Sequence, residues 1–203
     1  MNNKIEDIVA KLNLLSTKSL ILFMLSCSER MLPNYFEFYN KYHFGDPSLL
    51  RIGLDVVWAW LDLKPNVNIN FESLLNKIHG IIPDTEDYPS ALCSYALNSS
   101  VSIYLTVSSI LKIHESLSNA REVATVCTDT VDLFIHESLY SRSEPYLNII
   151  EDELSINQHP LMHRELQRQL LDINFLLNSN IQIAELKNHW SNISVSNIGF
   201  SGL

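Results

Sequence analysis

Residues Ser28 to Asp46 read SERMLPNYFEFYNKYHFGD, and PSLL follows at Pro47 to Leu50. In this stretch Gly45 can take the left-handed conformation that ends a helix. Asp46 can accept from the free N–H groups that open the next one, and Pro47 suits its first turn. The stretch is therefore a joint between two antiparallel helices. Pro33, just after Met31, predicts a kink or restart, with Asn34, Tyr35 and Phe38 heading the short helix that follows.

Outward from this joint, apolar residues recur at helical spacing: Ile5, Ile8, Val9, Leu12 and Leu15, then Leu20, Met24, Cys27 and Met31, then Leu50, Leu54, Val57, Trp58 and Leu61. Phe71, Leu74, Leu75 and Ile78 continue it, as do Met162, Leu166, Leu170, Ile173 and Leu177. These are the stripes of amphipathic helices. Asn70 and Ser118 or Asn119 are cap-type residues, Glu122 completes a capping box with Asn119, and Pro160 suits a first turn. The reading is all-α, one compact bundle of about seven or eight helices in a single domain over 1–203, joined mainly around 64–70 and 83–89.

Segments 98–110, NSSVSIYLTVSSI, and 190–203 stand apart. The first is β-branched and by propensity reads as strand, but Leu97, Val101, Tyr104, Leu105, Ser108 and Leu111 share a helical face. A lone strand would have no partner, so the path through 90–113 is read as helix. The tail, HWSNISVSNIGFSGL from His189, carries Trp190, Ile193, Val195, Ile198 and Phe200 without a charge, which predicts that 190–203 docks on the domain or on a second subunit.

Composition excludes several classes. Fourteen basic residues against 23 acidic ones give a net charge of −9, which repels nucleic acid. No apolar run is long enough for a membrane span, and the N-terminal stretch, broken by Glu6, Asp7, Lys11 and Lys18, reads as helices rather than a signal peptide. Cys27, Cys93 and Cys127 are an odd number at long spacings, which fits a reducing cytoplasm and suggests neither disulfides nor a zinc finger.

The chemistry-bearing residues gather at Glu29, Arg30, Tyr35, Arg51 and Asp55. Glu29 and Arg30 lie off the stripe of Leu20, Met24, Cys27 and Met31, while Arg51 and Asp55 form an i,i+4 pair. The five are read either as a small polar-ligand site or as ion pairs that fix helix packing. His159 and His163, four apart in HPLMH, are weak candidates for a metal, with Glu165 or Asp172 near in sequence and no HExxH motif. Asp129, Asp132 and His136 share a helical face that reads as solvated, and no Glu-x-x-His of a di-iron bundle occurs. LKIHESL and LFIHESL, at His114 and His136, agree over seven residues only and make no repeat; both are placed near helix C-termini. Five scattered Gly provide no phosphate loop, and no G-x-S-x-G is present, so neither a cofactor nor a catalytic residue is assigned.

CSERMLPNYFEFYNKYHFGD, followed by RIGLDVVWAWL, NFESLLNKIHGIIPDTED and the closing SNIGF, resembles the bacterial YjaG family, a domain of unknown function. The likeness is densest from Cys27 to Leu61 and weakest between about Ser90 and Ile113. It implies an all-α cytoplasmic protein without an established activity and, because the likeness reaches Gly199, a tail 190–203 docked on the protein's own fold. It also implies Asn before Pro160, so that His159 stands in for a helix cap.

Three functions compete. The acidic balance and the lack of catalytic signatures favour a protein-binding or regulatory module, including an immunity-type protein that masks a basic toxin. A small-ligand binder or enzyme would use Glu29, Arg30, Tyr35, Arg51 and Asp55. A scaffold would homodimerise through Trp60 or the tail.

Overall fold

In the computed structural model the described residues are 2–62, 70–140, 155–178, 182–191 and 195–201. The expected connection at 64–70 falls almost entirely outside them. Its last residue, Asn70, caps a helix by accepting from the Ser73 N–H at 2.9 Å. All regular structure described is helical: α1 (Asn2–Leu12), α2 (Thr17–Tyr42), α3 (Pro47–Leu61), α4 (Phe71–His79), α5 (Ala91–Leu111), α6 (Ser116–Tyr140), α7 (Pro160–Asn178) and α8 (Ile183–Trp190). A 3-10 turn, Ile113–Glu115, joins α5 to α6, and Val195 and Ser201 form an isolated antiparallel bridge.

α2 is the axis. Every residue from Ser19 to Tyr35 is buried, with α3, α5, α6 and α7 packed around it. Glu29 and Arg30 therefore do not lie on an outer face, because this helix has none along that length. Pro33 neither breaks nor restarts it: α2 runs 26 residues through the proline. An interior proline costs about 3 kcal/mol. Leu22, Phe23, Met24, Leu25 and Met31 are all fully buried, and at roughly 1.5–3 kcal/mol for each such side chain their burial outweighs it.

The α2–α3 joint forms as a helix stop and start, with one change of residue. His43, at φ 54°, is the left-handed C-cap, donating its N–H to the Tyr39 carbonyl at 2.8 Å. Gly45 follows at φ 82° in the linker, where an added Cβ would run into the Tyr35 hydroxyl. Asp46 accepts from the Ser48 N–H at 2.9 Å and caps α3. Asn119, expected as a cap, lies inside α6 and donates from its side chain to Ser109 at 2.9 Å. His114 sits in the 3-10 turn, and His136 lies four residues before the end of α6.

α5 is helical through the segment of strand-like composition, yet of the expected face only Ser108 is buried and the core side lies elsewhere. Cys93, Ala96, Ser99, Ser100, Ile103, Thr106, Val107 and Ile110 point inward, while Leu97, Val101, Tyr104 and Leu105 are half-buried and Leu111 is exposed. The hydroxyls make this possible. Ser100 and Thr106 donate back to the Ala96 and Ser102 carbonyls at 2.9 and 2.8 Å, while Ser28, Ser102 and Thr106 join across the α2–α5 contact at 2.6 and 3.0 Å. Small side chains with every oxygen satisfied let the two helices approach closely, which bulkier residues would prevent.

Candidate functional site

Successive residues of an α-helix point about 100° apart, so the neighbours Glu29 and Arg30 leave α2 in different directions. Glu29, only 4% exposed, faces α3. Its carboxylate accepts two bonds from Arg51, at 2.6 and 2.8 Å, and one from the Trp58 indole at 2.8 Å. Arg51 also reaches Asp55 at 3.3 Å, and Asp55 reaches Lys187 of α8 at 3.5 Å. Burial pulls the Arg51 proton affinity down, but Glu29 and Asp55 more than offset this and hold it above the ordinary value.

Arg30 faces α7. Its guanidinium contacts Asp172 at 2.7 Å and Glu165 at 3.3 Å, with Ser26 at 3.4 Å. Ser26 also donates to Asp172 at 2.8 Å, and Gln169 donates to Glu165 at 3.1 Å. Burial opposes the charge of Arg30, yet the carboxylates of Glu165 and Asp172 outweigh it and keep its pKa well above the usual value. Arg30 Nε, Glu165 Oε2 and Gln169 Oε1 have no hydrogen-bond partner among the described residues. The sequence reading missed Glu165 and Asp172 as partners of Arg30, and Gln169 as the residue that supports Glu165. Their signal was an i, i+4, i+7 polar row running beside the stripe of Met162, Leu166 and Ile173.

Tyr35 belongs to neither group: it donates to the Ile81 carbonyl at 2.7 Å, and burial, with Asp46 nearby, raises its phenol pKa. The five residues first grouped thus occupy three places. Glu29, Arg51 and Asp55 meet; Arg30 and Tyr35 stand apart, and each polar group makes a structural bond.

His159 Nδ1 accepts from the Leu161 N–H at 3.2 Å, which is a helix cap, and His163 Nε2 lies 3.0 Å from the Asn157 carbonyl. Among the described residues no three His, Cys, Asp or Glu side chains are grouped to hold a metal. Asp129, Asp132 and His136 line an open hollow of about 320 Å³ with Leu133. Burial, then Asp132 and Glu122, raise the Asp129 pKa. Cys127 is fully buried, and burial pushes its thiol pKa well up, which keeps it protonated and a poor nucleophile.

Another cavity lies between α7 and α8. It measures about 730 Å³. Leu171, Phe175, Leu186 and Trp190 form its apolar walls, Asn174, Asn178 and Gln182 its polar edge, and Asp172, Glu185 and His189 its ionisable groups. Leu171 and Phe175, one turn apart, are 58% and 46% exposed. Asn197 ties residues 195–201 to the bundle. Its N–H donates to the Arg30 carbonyl at 3.1 Å, its amide to the Cys127 carbonyl at 3.2 Å, and Asn34 donates to it at 3.0 Å. Phe200 meets the rings of Tyr95 and Phe134.

Residues 7–201 match the family described as "Protein of unknown function (DUF416)". The proteins named "Uncharacterized protein YjaG" of Salmonella typhimurium and Escherichia coli are 34% identical over 111 residues, 55% of this chain and 56% of theirs, so the chain spans about half the length of these relatives. An "Uncharacterized protein" of Haemophilus influenzae is 29% identical over 88% of this chain and 89% of its own. The crystal structure of a DUF416 family protein from Shewanella baltica has the same fold, with a TM-score of 0.82 over 96% of this chain and 98% of that one, at 22% identity.

Proposed function

The chain belongs to the DUF416 family of proteins of unknown function, and from that premise we propose that it is a protein-binding helical module whose contact surface is the α7–α8 groove. The observation that carries this reading is the contrast between two kinds of site. The two buried charges of α2 are ion-paired within the fold: Glu29 with Arg51, beside the Trp58 indole, and Arg30 with Asp172 and Glu165. The groove instead leaves two large apolar side chains of one helical face, Leu171 and Phe175, open to solvent beside a 730 Å³ cavity. That volume lies within the roughly 300–1,000 Å³ of ordinary ligand sites, and apolar anchors one turn apart are what helix-in-groove recognition uses.

Residues 1–203 act in this reading as one cytoplasmic domain, which three free thiols suit. The charge of −9 favours a basic partner, of which a masked toxin is one form. The test is affinity capture from the source cell at native level, with the chain and its Leu171→Gln/Phe175→Asp variant side by side. A stoichiometric protein retained by the first and lost by the second is the expected result. Equal retention by both would place the contact elsewhere, and a small molecule or metal in place of a protein would return attention to Glu29, Arg30, Tyr35, Arg51 and Asp55.

No helix among the described residues is long and apolar enough to cross a membrane.

A further inference from the structure

We propose that the occupant of the α7–α8 groove is a basic amphipathic helix, held by its apolar face on the exposed Leu171 and Phe175 over the floor of Leu186 and Trp190, and by lysine or arginine on Asp172 and Glu185. The inference rests on the groove being a protein contact and adds the chemistry of the partner. Leu171 and Phe175 on α7, and Leu186 and Trp190 on α8, are each spaced i, i+4. Leu171 and Phe175 form the exposed ridge, while Leu186 and Trp190, buried with Trp190 against the Trp58 ring, form the floor of the cleft, and a ridge beside such a floor accepts side chains projecting from one face of a third helix. α8 has eight residues, about 12 Å of helix, which sets the contact at two to three turns.

Charge selects the partner's sign. The lining contains two carboxylates, one histidine and neither Lys nor Arg. Arg30 is buried behind Asp172, and Arg168 is outside the lining. Asp172 is also preset. Its Oδ2 accepts from Arg30 at 2.7 Å and Ser26 at 2.8 Å, while Oδ1 has no hydrogen bond among the described residues and the side chain keeps 16% exposure. A carboxylate fixed in this way needs no reordering to receive an ammonium or guanidinium group, which favours binding. An acidic helix would meet Glu185 directly and Asp172 with its charge already shared by Arg30, so the like-charge penalty that selects against it falls mainly on Glu185.

The experiment uses the full chain and three fluorescein-labelled 14-residue peptides: a Leu/Lys amphipathic helix, the same with Glu for Lys, and a scrambled Leu/Lys peptide without an apolar face. Anisotropy is read at low and high salt. The Leu/Lys helix is expected to bind in the micromolar range, with the other two at least about tenfold weaker. Phe175→Asp should weaken it about tenfold or more, and Glu185→Lys about three- to tenfold with a shallower salt dependence. Both positions are exposed, so unchanged melting curves establish that the variants are folded. Glu72→Lys makes the same change of net charge on α4, away from the groove, and should leave binding intact.

Equal binding of the Glu peptide, or equal loss in Glu72→Lys and Glu185→Lys, would overturn the basic-helix assignment. Full binding by Phe175→Asp would overturn its location. If these peptides fail while a captured cellular partner still requires Leu171 and Phe175, the partner chemistry falls and the protein-binding reading stands.

Discussion

Replacing Arg30 with Met separates a packing residue from a ligand residue, because the two roles leave different residues stranded. The guanidinium is 3% exposed and holds Asp172 at 2.7 Å and Glu165 at 3.3 Å. Met fills much of the same space but supplies no donor. Glu165, 1% exposed, would keep the Gln169 amide and lose its cation, whereas Asp172, 16% exposed, can recover water. Removing one partner of a buried pair costs about 3–5 kcal/mol, and the solvent access of Asp172 places the expectation at the lower end, about 3–4 kcal/mol. For a chain of this size that is a fall of roughly 6–16 °C in melting temperature.

Urea denaturation followed by far-UV circular dichroism, with an unchanged slope, measures this directly. Arg30→Met/Glu165→Leu, which removes both charges, should recover at least about 2 kcal/mol, since an apolar replacement of a whole buried pair is tolerated better than half of one. A loss below about 1 kcal/mol in the single variant, or a double variant no better than it, would refute the structural role and leave Arg30 available to a ligand.

Two further expectations follow from other contacts. Asn197→Ala removes the bonds to the Cys127 carbonyl and from Asn34, and at about 1–3 kcal/mol for each buried group left unpaired it should destabilise by about 2–4 kcal/mol in the same urea assay; a change below about 1 kcal/mol would mean that the tail rests passively on the bundle. Asp129→Asn should raise the melting temperature by about 1–2 °C at pH 7. The folded pKa of Asp129 lies above the unfolded value, so its charge opposes folding above that raised pKa and the penalty fades as the pH falls to the ordinary carboxylate range. Melting curves from pH 3 to pH 7 should therefore converge at the acid end, and a constant offset would contradict the cause.

The fold class was legible because amphipathic spacing, the Asp46-Pro47 start and the Asn70 cap are local signals, and the family resemblance agreed with them. What was not legible depended on a helix having no exposed side. Periodicity assigns one face to the core, so Leu20, Met24, Cys27 and Met31 implied an outside for Glu29 and Arg30 that α2 does not have. The same rule misplaced the buried face of α5, where oxygens satisfied within the helix and against α2 made Ser99, Ser102 and Thr106 better core residues than Leu97 or Leu105. Local propensity likewise misjudged Pro33, whose penalty is outweighed by contacts from distant sequence. Of the polar group, the Arg51 and Asp55 pairing was readable from i,i+4 spacing. The partners of Arg30 lie 135 and 142 residues away and were not.

The attachment of Asn197 to the carbonyls of Arg30 and Cys127 also sets an order of events during synthesis. As the chain is made from its N-terminus, α2, α5 and α6 can associate early, but this closing contact waits until residues 195–201 have left the ribosome. Until then the Arg30 and Cys127 carbonyls and the rings of Tyr95 and Phe134 lack the groups that finally cover them. Until that stretch has emerged, a bundle that already holds α2, α5 and α6 is open at one seam, where it is most exposed to chaperones and proteases.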